Sequence, residues 1–279
     1  MINKTKDREA PVLSVRNLKV FFHTDNQVIE ALKGISFDLY RNEILALVGE
    51  SGSGKSVTCY SILNLLPKYA EVSGEILFNK NSNTYENLLD LNKEKLRDIR
   101  GNKISMVFQE PSAVLNPLLK IGDQIVEAIL AHNKISEEEA KKLALKAMEK
   151  ARIPQSERRF NQYPHELSGG LKQRVAIAIA IANNPSVLLA DEPTTALDVT
   201  VAAQILKLFK ELKENLNMGI LLITHDLGVV AEIADRVLVI YKGEIVEEGD
   251  VFSIFDNPKH EYTKKLLSSR PSIARVISS

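Results

Sequence analysis

The sequence Gly49-Glu50-Ser51-Gly52-Ser53-Gly54-Lys55-Ser56 decides the fold. It has the pattern of a phosphate-binding loop: Gly, four residues, Gly, Lys, and then Ser or Thr. The apolar run at residues 44–48 predicts a strand before it, and a helix is predicted from Lys55 to about Leu66. Backbone N–H groups and the positive end of that helix would converge on a phosphate. We therefore expect Lys55 to contact the β- and γ-phosphates and the Ser56 hydroxyl to bind Mg²⁺; a glycine-rich turn is the alternative.

Composition limits the class of protein. The chain has 279 residues, of which 44% are hydrophobic and 26% charged, as in an ordinary globular protein. This length accommodates one large domain, or one domain with inserted subdomains. Lys plus Arg and Asp plus Glu both number 36, so the formal net charge is zero. A balanced charge argues against a protein that binds nucleic acid mainly through its phosphates.

Cysteine content and hydropathy indicate the compartment. Cys59 is the single cysteine, so no internal disulfide forms, which suits a reducing compartment. Residues 1–10 are polar and charged and lack the apolar core of an export signal. The longest apolar runs, such as residues 175–182, are far shorter than the roughly 18 residues that span a bilayer. We therefore expect any membrane role to be peripheral.

Strand-like and helix-like segments alternate along the chain, which favours an α/β fold. Strands are predicted at residues 13–22, 35–39, 44–48, 104–108, 187–190, 220–224 and 237–241. The nearly all-apolar runs at 187–190 and 220–223 are typical of central strands in a parallel sheet. The early strands alternate more and are predicted to be antiparallel. Residues 241–245 are typical of a hairpin turn, and a helical tail is predicted from Asp250 onward.

The region from residue 110 to residue 185 is predicted to be helical. Ser136 and Glu139 form a capping box that would begin an amphipathic helix ending near Ala151. Residues 175–182 alternate like a strand, but their Ala content and the glycines before them favour a helix. We interpret the region as a helical subdomain inserted into the sheet.

Polar residues that follow predicted strands are candidates for catalysis. Asp191 would face phosphate-bound Mg²⁺ at the end of its strand, and Glu192 is placed to polarise an attacking water as a general base. His225 ends the next buried strand and would face the γ-phosphate, while the Gln109 amide would contact Mg²⁺ or the water. Taken singly, an acidic pair is more often a helix cap and a lone His a surface residue. The phosphate loop favours the catalytic interpretation.

A second glycine-rich segment, Leu167-Ser168-Gly169-Gly170-Leu171-Lys172-Gln173, places two glycines at a predicted helix start. The N-terminus of a helix attracts anions, so this is a second candidate phosphate site. The structural alternative is a cap formed by Ser168. Two phosphate-binding helix ends in one chain suggest a nucleotide held between two copies.

Together these motifs resemble the ATP-binding subunit of ABC transporters, over nearly the whole chain. The matching segments are Walker A (49–56), the Q-loop (Gln109), the signature (167–173), Walker B (Asp191 and Glu192), the D-loop (196–198) and the switch histidine (His225). The resemblance implies a P-loop NTPase fold with a RecA-like core, an antiparallel β subdomain and an inserted α-helical subdomain. It implies one ATPase domain over residues 1–279, with core and β subdomain at 12–110 and 186–249, helical subdomain at 111–185 and tail at 250–279.

The same resemblance assigns site residues. Catalytic roles fall to Glu192, His225, Gln109 and Lys55, and Mg²⁺ ligation to Ser56, Gln109 and Asp191. ATP would be bound by Phe22, Gly49, Glu50, Ser51, Gly52, Ser53, Gly54, Lys55, Ser56 and Val57. ATP would also be bound by Ser168, Gly169, Gly170, Gln173 and Asp198, with the segment from Ser168 to Gly170 contributed by the other protomer. The aromatic residue that stacks on adenine is expected after the first strand; Phe22 is preferred, and Phe21 is the alternative.

Within the family, residues 163–170, 190–200 and 224–232 are most similar to the oligopeptide and dipeptide importer group. The tail at 257–267 resembles the C-terminal motif of that group, with Glu261 in place of a proline. The resemblance implies an ATPase that powers peptide import. A nickel or metal-chelate importer of the same group is the alternative. A soluble, non-transport ABC ATPase is less favoured, because the chain has one cassette and no net charge.

The resemblance also implies partners. ATP and Mg²⁺ would bind in a head-to-tail dimer with a second ATPase, either a copy of this chain or a paralogue. Two transmembrane permease subunits would contact the loop at Gln109 and the helices after it, and an extracytoplasmic solute-binding protein would act indirectly. We expect a peripheral protein on the cytoplasmic face of the cell membrane, with no nucleic-acid partner. No iron–sulfur cluster is expected, since Cys59 stands alone.

Overall fold

The computed structural model of the chain describes residues 10–25, 27–81, 84–195 and 197–268. The strands in these ranges are β1 (Leu13–His23), β2 (Val28–Leu39), β3 (Glu43–Val48), β4 (Ala70–Asn81), β5 (Thr84–Asn87), β6 (Ile104–Val107), β7 (Val187–Asp191), β8 (Gly219–Thr224), β9 (Arg236–Tyr241) and β10 (Glu244–Asp250). The helices are α1 (Lys55–Ile62), α2 (Lys93–Ile99), α3 (Pro111–Val114), α4 (Ile121–Leu130), α5 (Glu137–Lys150), α6 (Ser156–Phe160), α7 (Gly169–Ile181), α8 (Val199–Leu216), α9 (Leu227–Ile233), α10 (Val251–Asp256) and α11 (Glu261–Ser268).

The larger sheet contains six strands in the order β10-β9-β3-β8-β7-β6. All neighbours pair in parallel except β10, which pairs with β9 as an antiparallel hairpin. Every residue of β3, β7 and β8 is buried, because both faces of the sheet are covered. The prediction of central parallel strands is confirmed. The carboxyl ends of β3, β8, β7 and β6 therefore lie side by side at one edge.

The smaller sheet has the order β2-β1-β4-β5, and all its pairs are antiparallel. Its apolar side chains share one buried cluster with residues such as Leu45 and Leu221 of the larger sheet. The predicted antiparallel pairing is confirmed for the strands at residues 13–22 and 35–39. The next strand, β3, instead pairs in parallel in the larger sheet. The sequence did not predict β4, whose charged residues and Gly74, with φ of 105°, interrupt the alternation expected of a strand.

Helices α3 to α7 follow one another between β6 and β7. Side chains of α4 to α7 share a second buried cluster with the opposite face of the larger sheet. The capping box is confirmed: the Ser136 hydroxyl accepts a hydrogen bond from the Glu139 N–H at 3.2 Å, and the Glu139 carboxylate accepts one from the Ser136 N–H at 3.1 Å. Residues 175–182 lie in and just after α7, so their prediction as a helix is also confirmed.

The helix after the phosphate loop is shorter than predicted, whereas the predicted hairpin and helical tail are present. The helix after the phosphate loop ends at Ile62 and not near Leu66, because Asn64 adopts a left-handed conformation with φ of 50°. The hairpin at 241–245 is confirmed, with Lys242 and Gly243 both at positive φ. The tail forms α10 and α11, and residues 269–279 lie outside the described part. No helix in the described ranges is long and apolar enough to cross a membrane.

Candidate active site

The phosphate loop joins the end of β3 to the start of α1. Gly54 precedes the helix with φ of 108°, a conformation that residues with a Cβ rarely adopt. A Cβ at Gly49 would overlap the carbonyl oxygen of Ile240 in β9. These two glycines let the chain turn tightly between a buried strand and a helix N-terminus.

Lys55 lies inside the loop and is 6% exposed. Its Nζ donates hydrogen bonds to the carbonyl oxygens of Gly49 and Glu50, each at 2.8 Å. Burial lowers the pKa of Lys55, and the carboxylates of Glu192 and Asp191 partly oppose that effect. The two carbonyls hold the amino group of Lys55 at the centre of the loop.

Asp191 ends β7 and is 3% exposed. Its Oδ1 accepts a hydrogen bond from the Ser56 hydroxyl at 3.1 Å, which places the start of α1 next to the end of β7. Burial raises the pKa of Asp191, the charge of Glu192 adds to this, and Ser56 and Lys55 oppose it. A cation beside this carboxylate would favour its charged form and so oppose the effect of burial on the pKa of Asp191.

Glu192 follows Asp191 and lies at the centre of a group of side chains. Its Oε1 lies 3.0 Å from His225 Nδ1, and its Oε2 accepts hydrogen bonds from the Thr195 hydroxyl at 3.0 Å and Gln109 Nε2 at 3.4 Å. Burial alone would raise the pKa of Glu192. Hydrogen bonds from His225 and Thr195, together with the charges of His225 and Lys55, outweigh burial and hold the pKa below its usual value. Glu192 is therefore kept as a carboxylate.

Thr195 is a site residue that the sequence did not predict. Its hydroxyl reaches Glu192 because Glu192 takes a left-handed turn with φ of 45°, and the Thr195 N–H donates to the Glu192 carbonyl at 3.1 Å. The sequence offers one signal, a Thr three residues after a catalytic candidate. That spacing alone does not indicate where the Thr side chain points.

A cavity of about 470 Å³ opens above the loop. Its lining consists of Ala31, Ser51, Gly52, Gly54, Lys55, Ser56, Val57, Gln109, Glu192 and His225. Apart from Ala31, each of these residues is a predicted site residue. The structure thus brings the phosphate loop and the ends of β6, β7 and β8 around one space.

Other predicted residues lie outside this lining. Phe22 and Phe21 are half-buried in β1, and the Phe22 ring lies 6.0 Å from that of Tyr69, centroid to centroid. Neither aromatic residue lines the cavity. The choice between them as the adenine contact stays a prediction.

The signature segment begins α7, away from the cavity lining. Ser168 caps the helix by accepting from the Leu171 N–H at 3.4 Å, and Ser168 and Gly169 are exposed. Asp198 is also exposed and caps α8 by accepting from the Val201 N–H at 2.9 Å. Gln173 differs, since it is 1% exposed. Gln173 faces the interior of the protein, and its role as a nucleotide contact stays a prediction.

The side chains at the end of β7 suit Mg²⁺. Ser56 and Asp191 supply a hydroxyl and a carboxylate oxygen within 3.1 Å of each other, and Gln109 lies nearby in the cavity lining. Oxygen ligands of this kind, completed by phosphate oxygens and water, are those that Mg²⁺ prefers. The described residues contain no cluster of three or more His, Cys, Asp or Glu side chains that could hold a metal.

Comparison with known proteins connects this geometry to a family. Residues 32–195 match the family model described as ABC transporter. The chain is 52% identical over 267 residues to the dipeptide transport ATP-binding protein of Lactococcus lactis, covering 95% of this chain and 75% of that protein. It is 49% identical over 269 residues to the oligopeptide transport ATP-binding protein of Bacillus subtilis, covering 95% and 74%.

The fold also matches solved structures. One, described as the dimeric post-hydrolysis state of an ATP-binding cassette bound to ADP and Pi, superposes with a TM-score of 0.74 at 32% identity. The match covers 86% of this chain and 98% of that one.

Proposed function

This chain belongs to the ABC transporter family as an ATP-binding, ATP-hydrolysing subunit, and we propose that it powers the import of dipeptides or oligopeptides. The observation that carries the proposal is the convergence of Lys55, Ser56, Asp191, Glu192 and His225 around one cavity. Similarity to dipeptide and oligopeptide transport ATP-binding proteins supports the substrate class.

Each side chain at the site would have its own role in ATP hydrolysis. Lys55, now bound to two carbonyls, would donate to the β- and γ-phosphate oxygens. Ser56 and Asp191 would hold Mg²⁺, which supplies positive charge at the phosphates when bound. The Glu192 carboxylate would accept the proton of the attacking water. His225 would fix the orientation of Glu192 through the contact at its Oε1.

The exposed signature points to a second ATPase subunit. Ser168 and Gly169 lie at the N-terminus of α7, where unpaired N–H groups favour an anion. They lie outside the cavity that holds Lys55, so a nucleotide in that cavity would meet the signature of another subunit. We propose a head-to-tail dimer, either of two copies or with a paralogue. A dimeric relative of the same fold supports this arrangement.

An apolar groove marks the proposed contact with a permease at the cytoplasmic membrane face. A cavity of about 260 Å³ lies between the end of α1, β6 and helices α3, α4 and α7. Leu65 and Val114 on its rim are 43% and 41% exposed. The groove lies beside α3, directly after Gln109, so a short apolar helix bound there would act next to the catalytic residues. A permease would in turn connect the chain to an extracytoplasmic solute-binding protein.

Affinity capture from detergent-solubilised membranes tests the proposal. We expect the tagged chain to co-purify with two multi-span proteins, and the captured complex to hydrolyse ATP faster when it imports peptide in proteoliposomes. Val114→Asp should reduce this capture at least severalfold because a charge would enter the apolar groove. Leu143→Asp, on α5 and equally 41% exposed, is the matched control and should retain capture. Co-purification with only soluble or ribosomal proteins would contradict the importer function.

A further inference from the structure

The C-terminal segment contacts the phosphate loop directly. The hydroxyl of Tyr262, in α11, accepts a hydrogen bond from the backbone N–H of Glu50 at 3.0 Å. Tyr262 is 7% exposed and shares a buried cluster with Val48, the last residue of the strand that carries the loop. Tyr262 lies within the tail motif at residues 257–267. The structure gives it a physical contact.

A chain of interactions fixes Tyr262 in place. Glu247, in β10, accepts hydrogen bonds from the N–H groups of Lys259 and His260 at 2.7 and 3.0 Å. His260 Nδ1 in turn accepts from the Tyr262 N–H at 3.1 Å and caps the start of α11. The Tyr262 ring stacks on that of Tyr241 in β9, with centroids 4.1 Å apart. The hydroxyl is therefore held in position from β9 and β10.

The hydrogen bond acts on a peptide unit that also contacts Lys55. The Glu50 N–H and the Gly49 carbonyl belong to one trans peptide, so they point in opposite directions. The Gly49 carbonyl accepts from Lys55 Nζ at 2.8 Å. Fixing the N–H from one side therefore fixes the direction in which the carbonyl faces Lys55. Without the hydroxyl, this peptide would keep only the contact of its carbonyl with Lys55, and the N–H would lack its partner in the protein.

We propose that Tyr262 is a positioning residue for nucleotide binding, which holds the phosphate loop in its binding shape through the Glu50 N–H. The proposal rests on the proposed binding of ATP at residues 49–56. A loop that is already ordered loses less conformational freedom when ATP binds. Glu192, His225 and Thr195 contact one another and not Tyr262, so Tyr262 affects binding more than the hydrolytic step.

Tyr262→Phe tests the role, since it removes the hydroxyl and keeps the stacked ring. We expect the KM for Mg·ATP in steady-state hydrolysis by the full chain to rise about three- to tenfold, as for the loss of one hydrogen bond. The kcat should stay within about twofold. A non-hydrolysable ATP analogue, titrated calorimetrically, should show the same loss of affinity. Tyr241→Phe is the matched control, because the Tyr241 hydroxyl makes no hydrogen bond within the described residues, and it should leave both constants unchanged.

The possible results distinguish the positioning role of Tyr262 from the assignment of residues 49–56 as the ATP-binding loop. An unchanged KM in Tyr262→Phe would overturn the positioning role. A fall in kcat alone, caused by loss of folded protein, would overturn it as well. Lys55→Ala should abolish binding of the analogue. If Lys55→Ala binds normally, the assignment of the loop is wrong, and the positioning role fails with it. If Lys55→Ala fails to bind while Tyr262→Phe binds as well as the native chain, only the positioning role fails.

Discussion

Burial raises the pKa of Glu192, whereas the side chains around it lower that pKa. The carboxylate receives hydrogen bonds at both oxygens, from His225 on one side and Thr195 on the other. The result is a lowered pKa, so the group stays ionised and ready to accept a proton. The acid limb of the activity profile reports the pKa of such a base in the nucleotide complex.

Thr195→Val should move that acid limb to higher pH. The substitution removes the hydrogen bond to Glu192 Oε2 and leaves burial to act with less opposition, so the pKa of Glu192 rises. Hydrolysis would then be lost at a higher pH as the solution is acidified. The kcat of ATP hydrolysis measured against pH checks this, with Thr194→Val as the control. An acid limb that stays in place would show that Thr195 does not influence the base.

Helices α4 and α6 are in close contact at Gly122. A Cβ at this position would overlap the ring of Phe160. Both residues are buried, and Phe160 belongs to the cluster that joins the helices to the larger sheet. The contact allows α4 to lie directly against the aromatic ring.

Gly122→Ala should lower the free energy of unfolding by about 1–3 kcal/mol, since overpacking a buried site costs this much. The better helix propensity of Ala offsets at most about 1 kcal/mol of that loss. Chemical denaturation measures the difference. Gly169→Ala is the control, because a Cβ there would find its nearest neighbour, Leu197 Cδ2, at 3.9 Å. Equal stability of the two variants would contradict the close packing.

Elements with strong local signals were predictable from the sequence. The capping box at Ser136 and the apolar runs of β7 and β8 depend on neighbouring residues, and their predictions are confirmed. β4 depends on pairing with β1, and its own residues give little sign of it. The contact of Tyr262 with Glu50 joins residues 212 positions apart. Such contacts arise from tertiary packing, which local patterns do not contain.

At the scale of the whole molecule, the signature segment and the start of α8 expose neighbouring side chains to solvent. Ser168, Gly169 and Asp198 are exposed, and Val199 beside them is 87% exposed. A large apolar side chain next to two exposed helix ends suits a contact that forms with another subunit.

Glu192→Gln should trap such a dimer in the presence of Mg·ATP. The amide keeps the shape of the side chain but cannot accept the proton of water, so hydrolysis should fall at least about a hundredfold. Light scattering should then show a doubling of mass with ATP. Adding Gly169→Asp should prevent the doubling, because a carboxylate would face the phosphates. A monomer under all conditions would contradict self-pairing and leave a paralogue as the partner.

The position of β3 in the larger sheet has a consequence for the synthesis of the chain. Its neighbours are β8 and β9, so Glu43 pairs with Gly219, and Leu45 with Arg236. The ribosome makes both neighbours long after β3, and pairing of distant segments is slow. Until then β3 is an apolar strand with two open edges, which is prone to aggregate. We therefore expect nascent chains that end before β9 to bind ATP more weakly than the full chain, although their Walker A motif is complete.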